Sequence, residues 1–169
     1  MKKTILLALL AFLGSILFAD PFGLKMGMTL AEIAEKCSGG KEPIYTGFGT
    51  NYKIDPIKKN DAFAEYDVSV HDDLGLFAIT ATCIPGSSRT CELRLKAIYM
   101  MLKLYYGEAS NKKDRQISWD ANQCKILKKE KLWGITLAIL PESEEKEKVI
   151  LLYVFENYQK AQEASSGPF

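Results

Sequence analysis

Two pairs of apolar β-type runs, each joined by a polar turn, restrict this chain to an antiparallel sheet. Residues 62–71 alternate apolar and polar side chains, and a second run over residues 76–83 follows the turn at residues 72–75. Near the C-terminus, residues 132–140 and 148–156 form a similar pair across a charged loop. Because a period of two places one side of each strand in the core, we predict two β-hairpins.

Helix signals flank these hairpins. Thr29 and Glu32 have the spacing of a capping box, which predicts a helix over residues 29–37. Residues 87–106 predict a long helix whose apolar side chains are numerous enough to be covered on both flanks. The Lys-rich residues 120–130 predict a third helix.

The order of these elements is typical of the α+β class, with an antiparallel β-sheet and helices packed on one face. The order also allows a pseudo-repeat, in which each half is a helix followed by a hairpin. We expect one domain over residues 20–158, with residues 111–118 as a charged connection. Residues 159–169 are polar and small, which predicts a loose C-terminal tail.

The N-terminus has the pattern of an export signal. Lys2 and Lys3 precede an uncharged run, rich in Leu and Ile, over residues 4–19. A basic start, an apolar stretch and a small residue at its end predict a cleavable signal peptide over residues 1–19. The protein is therefore expected in the periplasm or secreted, with no transmembrane segment after cleavage. An uncleaved N-terminal anchor is the alternative.

Four cysteines, at positions 37, 83, 91 and 124, remain after this cleavage. An even number in an exported protein permits two disulfides. Cys83 and Cys91 both face inward across a short loop, which favours that pair and leaves Cys37 with Cys124 by elimination. Alternatively, all four are buried free thiols, because free cysteine behaves as a small hydrophobe. No pair has the Cys-x-x-Cys spacing of a redox site or a zinc knuckle.

Charge and residue types exclude several functions. The 22 basic residues are balanced by 21 acidic residues, so the chain lacks the basic excess of a nucleic-acid-binding protein. His71 is the only histidine, and it is followed by Asp72 and Asp73. This cluster suits a cation site or an oriented base, but a polar hairpin turn is the favoured interpretation. We expect no catalytic residue, no metal and no cofactor.

Two segments are candidate binding surfaces. Tyr45, Phe48 and Tyr52 lie around two glycines, and such aromatic side chains anchor many protein interfaces; the alternative is that they are ordinary core at the sheet edge. The second candidate is a group of lysines on the predicted third helix, which could contact anionic lipid or an envelope polymer or simply form a solvated face. Its members are Lys125, Lys128 and Lys129.

The segment over residues 21–33 resembles a family of small exported bacterial proteins without an assigned function. In that family a Gly-Met-Thr/Ser box, here Gly27-Met28-Thr29, follows the signal peptide. Residues 63–66 and the Tyr106-Gly107 pair are similar to later parts of the family pattern. The box is also similar to that of β-barrel assembly accessory lipoproteins and β-lactamase inhibitor proteins. Both resemblances imply a binding or assembly role by fold analogy.

These observations predict an exported, non-catalytic protein-interaction or envelope-associated module, whose partner is an envelope or secreted protein. The alternative is a periplasmic small-ligand-binding protein. It would hold an apolar or anionic molecule between the sheet and the long helix, beside Met100 and Met101.

Overall fold

Eight strands form one antiparallel sheet in the computed structural model, which describes residues 20–165. The strands are β1 (Ile44–Tyr45), β2 (Asn51–Ile54), β3 (Glu65–His71), β4 (Gly75–Thr82), β5 (Asn111–Lys113), β6 (Gln116–Asp120), β7 (Leu132–Pro141) and β8 (Glu147–Phe155). The α-helices in this part of the chain are α1 (Leu30–Ala34), α2 (Ser88–Tyr106), α3 (Lys125–Lys129) and α4 (Tyr158–Ser165). The predicted α+β class is confirmed.

The strand order divides the sheet into two similar halves. It runs β1-β2-β3-β4-β8-β7-β6-β5, so the last strands of the two halves, β4 and β8, pair at the centre. Each half begins with a helix, α1 or α2, and continues as a four-stranded meander. The topology therefore has the repeat that the sequence allows, with four strands in each half rather than a single hairpin.

The predicted capping box starts α1. The Thr29 hydroxyl accepts a hydrogen bond from the Glu32 N–H at 3.3 Å, and the Glu32 carboxylate accepts one from the Thr29 N–H at 2.8 Å. The Thr29 N–H and hydroxyl both donate to the Glu32 carboxylate, which lowers the pKa of Glu32. The helix ends at Ala34 rather than at Cys37, because Cys37 already forms a β-bridge with Pro56.

Helices α1, α2 and α3 pack on one face of the sheet and enclose the main core. The Phe22 side chain lies inside this core, with its ring centroid 4.8 Å from that of Tyr66 and 6.0 Å from that of Tyr153. On β8, the alternation points Leu151 into this core and Leu152 to the opposite face, where a smaller cluster forms. Helices on one face of an antiparallel sheet were expected, and the smaller cluster holds α4 on the other face.

The expectation of a loose tail is wrong for residues 159–165. These residues belong to α4, whose Ala161 is buried against Phe77. The Asn157 side-chain amide just before α4 donates to the backbone carbonyls of Leu74 and Leu76 at 3.0 and 3.1 Å. These tertiary contacts order a polar segment whose composition alone favours disorder. Residues 166–169 lie outside the described part of the chain, as does the predicted signal peptide over residues 1–19.

Two further predictions of local structure are corrected. The expected charged connection at residues 111–118 forms β5 and most of β6. The third helix is much shorter than residues 120–130, because the Asp120 carboxylate accepts a hydrogen bond from the Asn122 N–H at 2.6 Å and closes a turn there. Asp at such a turn competes with helix formation through this local bond.

A backbone contact fastens the N-terminal segment to the sheet. The Gly27 N–H donates to the Leu76 carbonyl at 2.9 Å, and the Leu76 N–H donates to the Met28 carbonyl at 2.8 Å. Gly75 lies against this contact, where a Cβ atom would be 2.1 Å from the Gly27 carbonyl oxygen. The close approach of these two backbone segments therefore requires glycine at position 75.

All four cysteines lie within the described residues and are buried, free thiols. The expected pairs, Cys83 with Cys91 and Cys37 with Cys124, are not formed. The Cys91 thiol donates to the Glu147 carbonyl at 3.2 Å and the Cys124 thiol to the Tyr106 carbonyl at 3.3 Å. Burial raises the pKa of the Cys83 thiol to about 11. The cysteines thus act as small buried side chains, which was the alternative interpretation.

Candidate functional site

Strand β1 forms one outer edge of the sheet and carries exposed apolar side chains. Among the described strands it pairs only with β2, so its other backbone edge is open. Ile44 is 71% exposed and Tyr45 is 55% exposed. Tyr45 lies opposite Tyr52 in the β1–β2 register, with 5.5 Å between the ring centroids.

The loop between β1 and β2 projects a further ring into solvent. Phe48 is 76% exposed and lies between Gly47 and Gly49, which have φ of +81° and +56°. Such positive φ values cost little only for glycine. The Thr46 N–H donates to the Asn51 carbonyl at 3.0 Å, and the Asn51 N–H donates to the Phe48 carbonyl at 3.1 Å. The loop thus presents Phe48 from a hydrogen-bonded turn.

We call this surface the aromatic edge; it consists of Ile44, Tyr45, Phe48 and Tyr52. The structure brings Tyr45 and Tyr52 together, and Phe48 lies in the loop that joins their two strands. The alternative that they are ordinary core is wrong for Tyr45 and Phe48, while the half-buried Tyr52 packs against the main core. Ile44 was missed by the sequence analysis, because a single isoleucine in a turn-rich segment gives no periodic signal.

The other outer strand, β5, has the opposite character. Its three residues, Asn111, Lys112 and Lys113, are polar and exposed. The Lys112 ammonium lies 4.5 Å from the centroid of the Tyr99 ring, which draws this side chain back over the fold. Lysines on edge strands oppose pairing with other chains, because a partner strand would have to bury their charge.

The predicted lysine surface lies on the short helix α3. Lys125, Lys128 and Lys129 are exposed. Within residues 20–165, none of the three has a carboxylate within ion-pair distance. The acidic residues after β7 pair elsewhere, Glu142 with Lys148 at 2.5 Å and Glu147 with Arg115 at 2.7 Å. The helix therefore presents positive charge to solvent.

A cleft of about 580 Å³ opens beside α3. At its wall, the hydroxyls of Tyr105 and Tyr106 donate to the two oxygens of the Glu130 carboxylate at 2.6 and 3.0 Å. Burial and this carboxylate raise the pKa of Tyr105 to about 12, and burial raises that of Tyr106 further. The two phenols thus remain protonated donors and fasten the end of α3 to the end of α2.

A second cleft, of about 450 Å³, lies between α2 and the ends of β3 and β4; we call it the apolar groove. Its lining residues are Asp61, Ala62, Phe63, Ala64, Cys83, Ile84, Arg94, Ala97, Ile98, Met100 and Met101. The groove lies between the sheet and the long helix and includes both methionines of the small-ligand prediction. Most of its other residues were missed, because they come from three segments distant in sequence.

Helix α2 is not covered on both flanks, so that expectation is wrong. Leu93, Met100 and Leu104 are exposed on the side that faces away from the main core. The spacing 93, 97, 100, 104, with Ala97 between them, places these apolar side chains in one stripe. The sheet packs against only one face of α2, so the number of apolar residues in the helix predicted more burial than the helix has.

His71 is the last residue of β3, next to the turn that leads to β4. Its Nδ1 atom accepts a hydrogen bond from the Asp73 N–H at 3.1 Å, as expected of a polar hairpin turn. Over residues 20–165, no three His, Cys, Asp or Glu side chains are grouped so that they could hold a metal ion. None of the helices in the same range is both long and apolar enough to span a membrane.

The fold and these surfaces define an α+β protein with one apolar and one cationic sheet edge. Comparison with models of known protein families, with curated proteins and with solved structures found no match to this chain.

Proposed function

We propose that this protein is an exported, non-catalytic interaction module that binds an envelope or secreted protein through its aromatic edge. The observation that carries the proposal is the exposure of Tyr45 and Phe48 beside the open backbone of β1. Export follows from the signal-peptide pattern of residues 1–19. The resemblance to small exported proteins and to assembly-factor folds agrees with a binding role.

The mode of binding that suits this edge is strand addition combined with aromatic anchoring. An extended segment of the partner would pair with the open edge of β1, and its side chains would contact the exposed rings. Because β1 has only two residues, backbone hydrogen bonds alone would give little affinity. Aromatic side chains bury a large area with few rotatable bonds, so Tyr45 and Phe48 would supply most of the binding energy.

The lysines of α3 provide a second, electrostatic contact in this proposal. Lys125, Lys128 and Lys129 would attract anionic lipid or an envelope polymer and hold the module near the envelope. Such a contact weakens as the salt concentration rises, whereas apolar contacts at the aromatic edge do not.

The test is site-specific photo-crosslinking in cells. A photoreactive phenylalanine analogue replaces Phe48 in one variant and Leu104 in a second, because the two side chains are about equally exposed, at 76% and 73%. We expect one dominant crosslinked protein from position 48 and none from position 104. In a pull-down with the otherwise native module, Phe48→Ser and Tyr45→Ser should each remove capture of that protein. The control, Leu104→Ser, should leave capture unchanged.

The variants also separate binding from folding. Because Phe48 is exposed, its replacement by serine should change the free energy of unfolding by less than about 0.5 kcal/mol. Tyr45→Ser also removes the ring contact with Tyr52, so we expect a loss of about 1 kcal/mol, which leaves the module folded. Identical crosslinking from both positions, or unchanged capture by the folded serine variants, would show that the aromatic edge is not the binding surface.

A further inference from the structure

We propose that the apolar groove is a binding site for a single-chain fatty carboxylate, with its hydrocarbon chain along α2 and its carboxylate at Arg94. This proposal does not depend on the proposed function, because the groove and the aromatic edge share no residue. A volume of about 450 Å³ lies within the range of small-molecule sites in proteins.

One wall of the groove is a continuous strip of α2. Arg94, Ala97, Ile98 and Met101 follow each other at the spacing of one helix face. From Arg94 to Met101 the strip rises about 10 Å, which suits an extended chain rather than a compact ring. Ala97 has a small, exposed side chain at the middle of the strip, which leaves room for a hydrocarbon chain that lies along the helix.

The opposite wall comes from the segments that enter β3 and leave β4. It consists of residues 61–64 together with Cys83 and Ile84. Phe63, Cys83 and Ile98 are buried and form an apolar floor, whereas Ile84 and Met100 are exposed at the rim. Exposed apolar side chains around an apolar cleft are favourable places for a hydrocarbon chain, because binding removes their surface from water.

Arg94 gives the groove one oriented charge. Its Nη1 atom donates to the Ile84 carbonyl across the groove, which holds the guanidinium in place. A guanidinium has five N–H donors, so the remaining ones are available to the ligand. Within residues 20–165, Arg94 is paired with no carboxylate, and a ligand carboxylate could form the two parallel hydrogen bonds that arginine favours.

The charge around the groove favours an anionic head group. Among the described residues that line the groove, Arg94 is the only basic side chain. Asp61 lines the opposite wall but is exposed. Solvent screens an exposed carboxylate more strongly than the half-buried guanidinium of Arg94, so the arginine dominates the choice of ligand charge.

Isothermal titration calorimetry with three probes tests this proposal on the mature chain, below the concentrations at which the probes form micelles. The probes are dodecanoate, dodecanol and dodecyltrimethylammonium, which share one chain length and differ in head-group charge. We expect dodecanoate to bind as one molecule per chain and more tightly than dodecanol, with the cationic probe weakest. Tighter binding of the cationic probe would overturn the proposal.

Three variants locate the site. Arg94→Gln should weaken dodecanoate binding about tenfold and leave dodecanol unchanged, because it removes only the charge-assisted hydrogen bonds. The matched control is Arg89→Gln, an exposed arginine of the same helix outside the groove, which should change neither. Ala97→Trp fills the groove from an exposed helix position and should weaken both probes at least tenfold. Unchanged dodecanoate binding by the folded Ala97→Trp protein would contradict the site.

Two other occupants are distinguished by further measurements. If the wild-type chain sediments as a dimer that Ala97→Trp dissociates, and dodecanoate does not bind, a second copy fills the groove. If the protein binds phosphatidylglycerol vesicles through Arg94 but not monomeric dodecanoate, the groove contacts a membrane surface. Either result would overturn the proposal of a single-chain carboxylate site.

Discussion

The two outer strands of the sheet have equivalent positions and opposite surfaces. In the first half the sheet ends at β1, where Ile44 and Tyr45 are exposed. In the second half it ends at β5, where the exposed residues are Asn111, Lys112 and Lys113. Both strands leave one backbone edge unpaired among the described strands. The sheet thus has one exposed edge with apolar side chains and one with polar and charged side chains.

This difference indicates which edge is available to a partner. Lysines on β5 make pairing with another chain unfavourable, as in many natural edge strands. The short β1 limits nonspecific pairing by its length and keeps apolar rings accessible. A protein that needed protection at both edges would be expected to charge both, so the apolar β1 supports a binding role for the first half.

The largest expected effect on stability comes from the backbone contact that fastens the N-terminal segment to β4. Gly75→Ala would place a Cβ atom 2.1 Å from the Gly27 carbonyl oxygen and strain a backbone with φ of +65°. We expect a loss of stability on the order of 3–5 kcal/mol, measured by urea unfolding. Gly47→Ala, at φ of +81° in the exposed loop with no atom within 4 Å, is the control.

That control should cost only about 1–2 kcal/mol, because it has backbone strain without a clash. Equal losses in the two variants would mean that the contact between Gly27 and Gly75 does not hold the first half in place.

An intermediate effect on stability is expected in the second half, where the Tyr105 hydroxyl donates a hydrogen bond to the Glu130 carboxylate. The pKa of Tyr105 is raised to about 12 from 10.0, so the folded protein holds this proton more tightly than the unfolded chain does. Its contribution to stability is therefore complete below pH 10 and is lost as the pH rises toward 12. Tyr105→Phe should reduce the free energy of unfolding by about 1 kcal/mol at pH 7.

The difference in stability between wild type and Tyr105→Phe should shrink as the pH rises from 10 toward 12, in a series of urea titrations. As a control, Tyr45→Phe, which removes an exposed hydroxyl in the first half, should leave the free energy of unfolding at pH 7 unchanged. A difference for Tyr105→Phe that stays constant over this pH range would show that the phenol does not ionise next to Glu130.

The smallest effect on stability, and a direct test of the comparison, is expected from giving β5 an apolar surface like that of β1. The double variant Asn111→Ile with Lys113→Tyr replaces two of the three polar side chains of β5 with apolar ones, and we expect concentration-dependent association in sedimentation velocity. The free energy of unfolding should change by less than about 0.5 kcal/mol, because both side chains are exposed. A double variant that stays monomeric would show that Asn111 and Lys113 do not protect this edge.

Much of the fold followed from local patterns. Alternation over residues 62–71 and 76–83 predicted β3 and β4, and the apolar runs near the C-terminus predicted β7 and β8. The capping box predicted the start of α1. These signals are reliable because strand alternation and helix capping depend only on residues that are close together in the sequence.

The candidate sites were less predictable. Glycines around Phe48 indicated an exposed loop, but only the strand order placed Tyr45 on an open edge. The apolar groove combines α2 with residues 61–64 and 83–84, which no local pattern connects. The helix α4 likewise depends on Ala161 packing against Phe77, a contact between residues far apart in the chain.

The sequence by itself therefore determined the class of fold, the positions of the long strands and the start of α1, since hydrophobic period and capping act locally. Tertiary structure decided which apolar side chains remained exposed, because burial depends on what packs against each face. It left Phe48 and Leu104 in solvent, enclosed all four cysteines as free thiols, and gave the two edges of one sheet opposite characters.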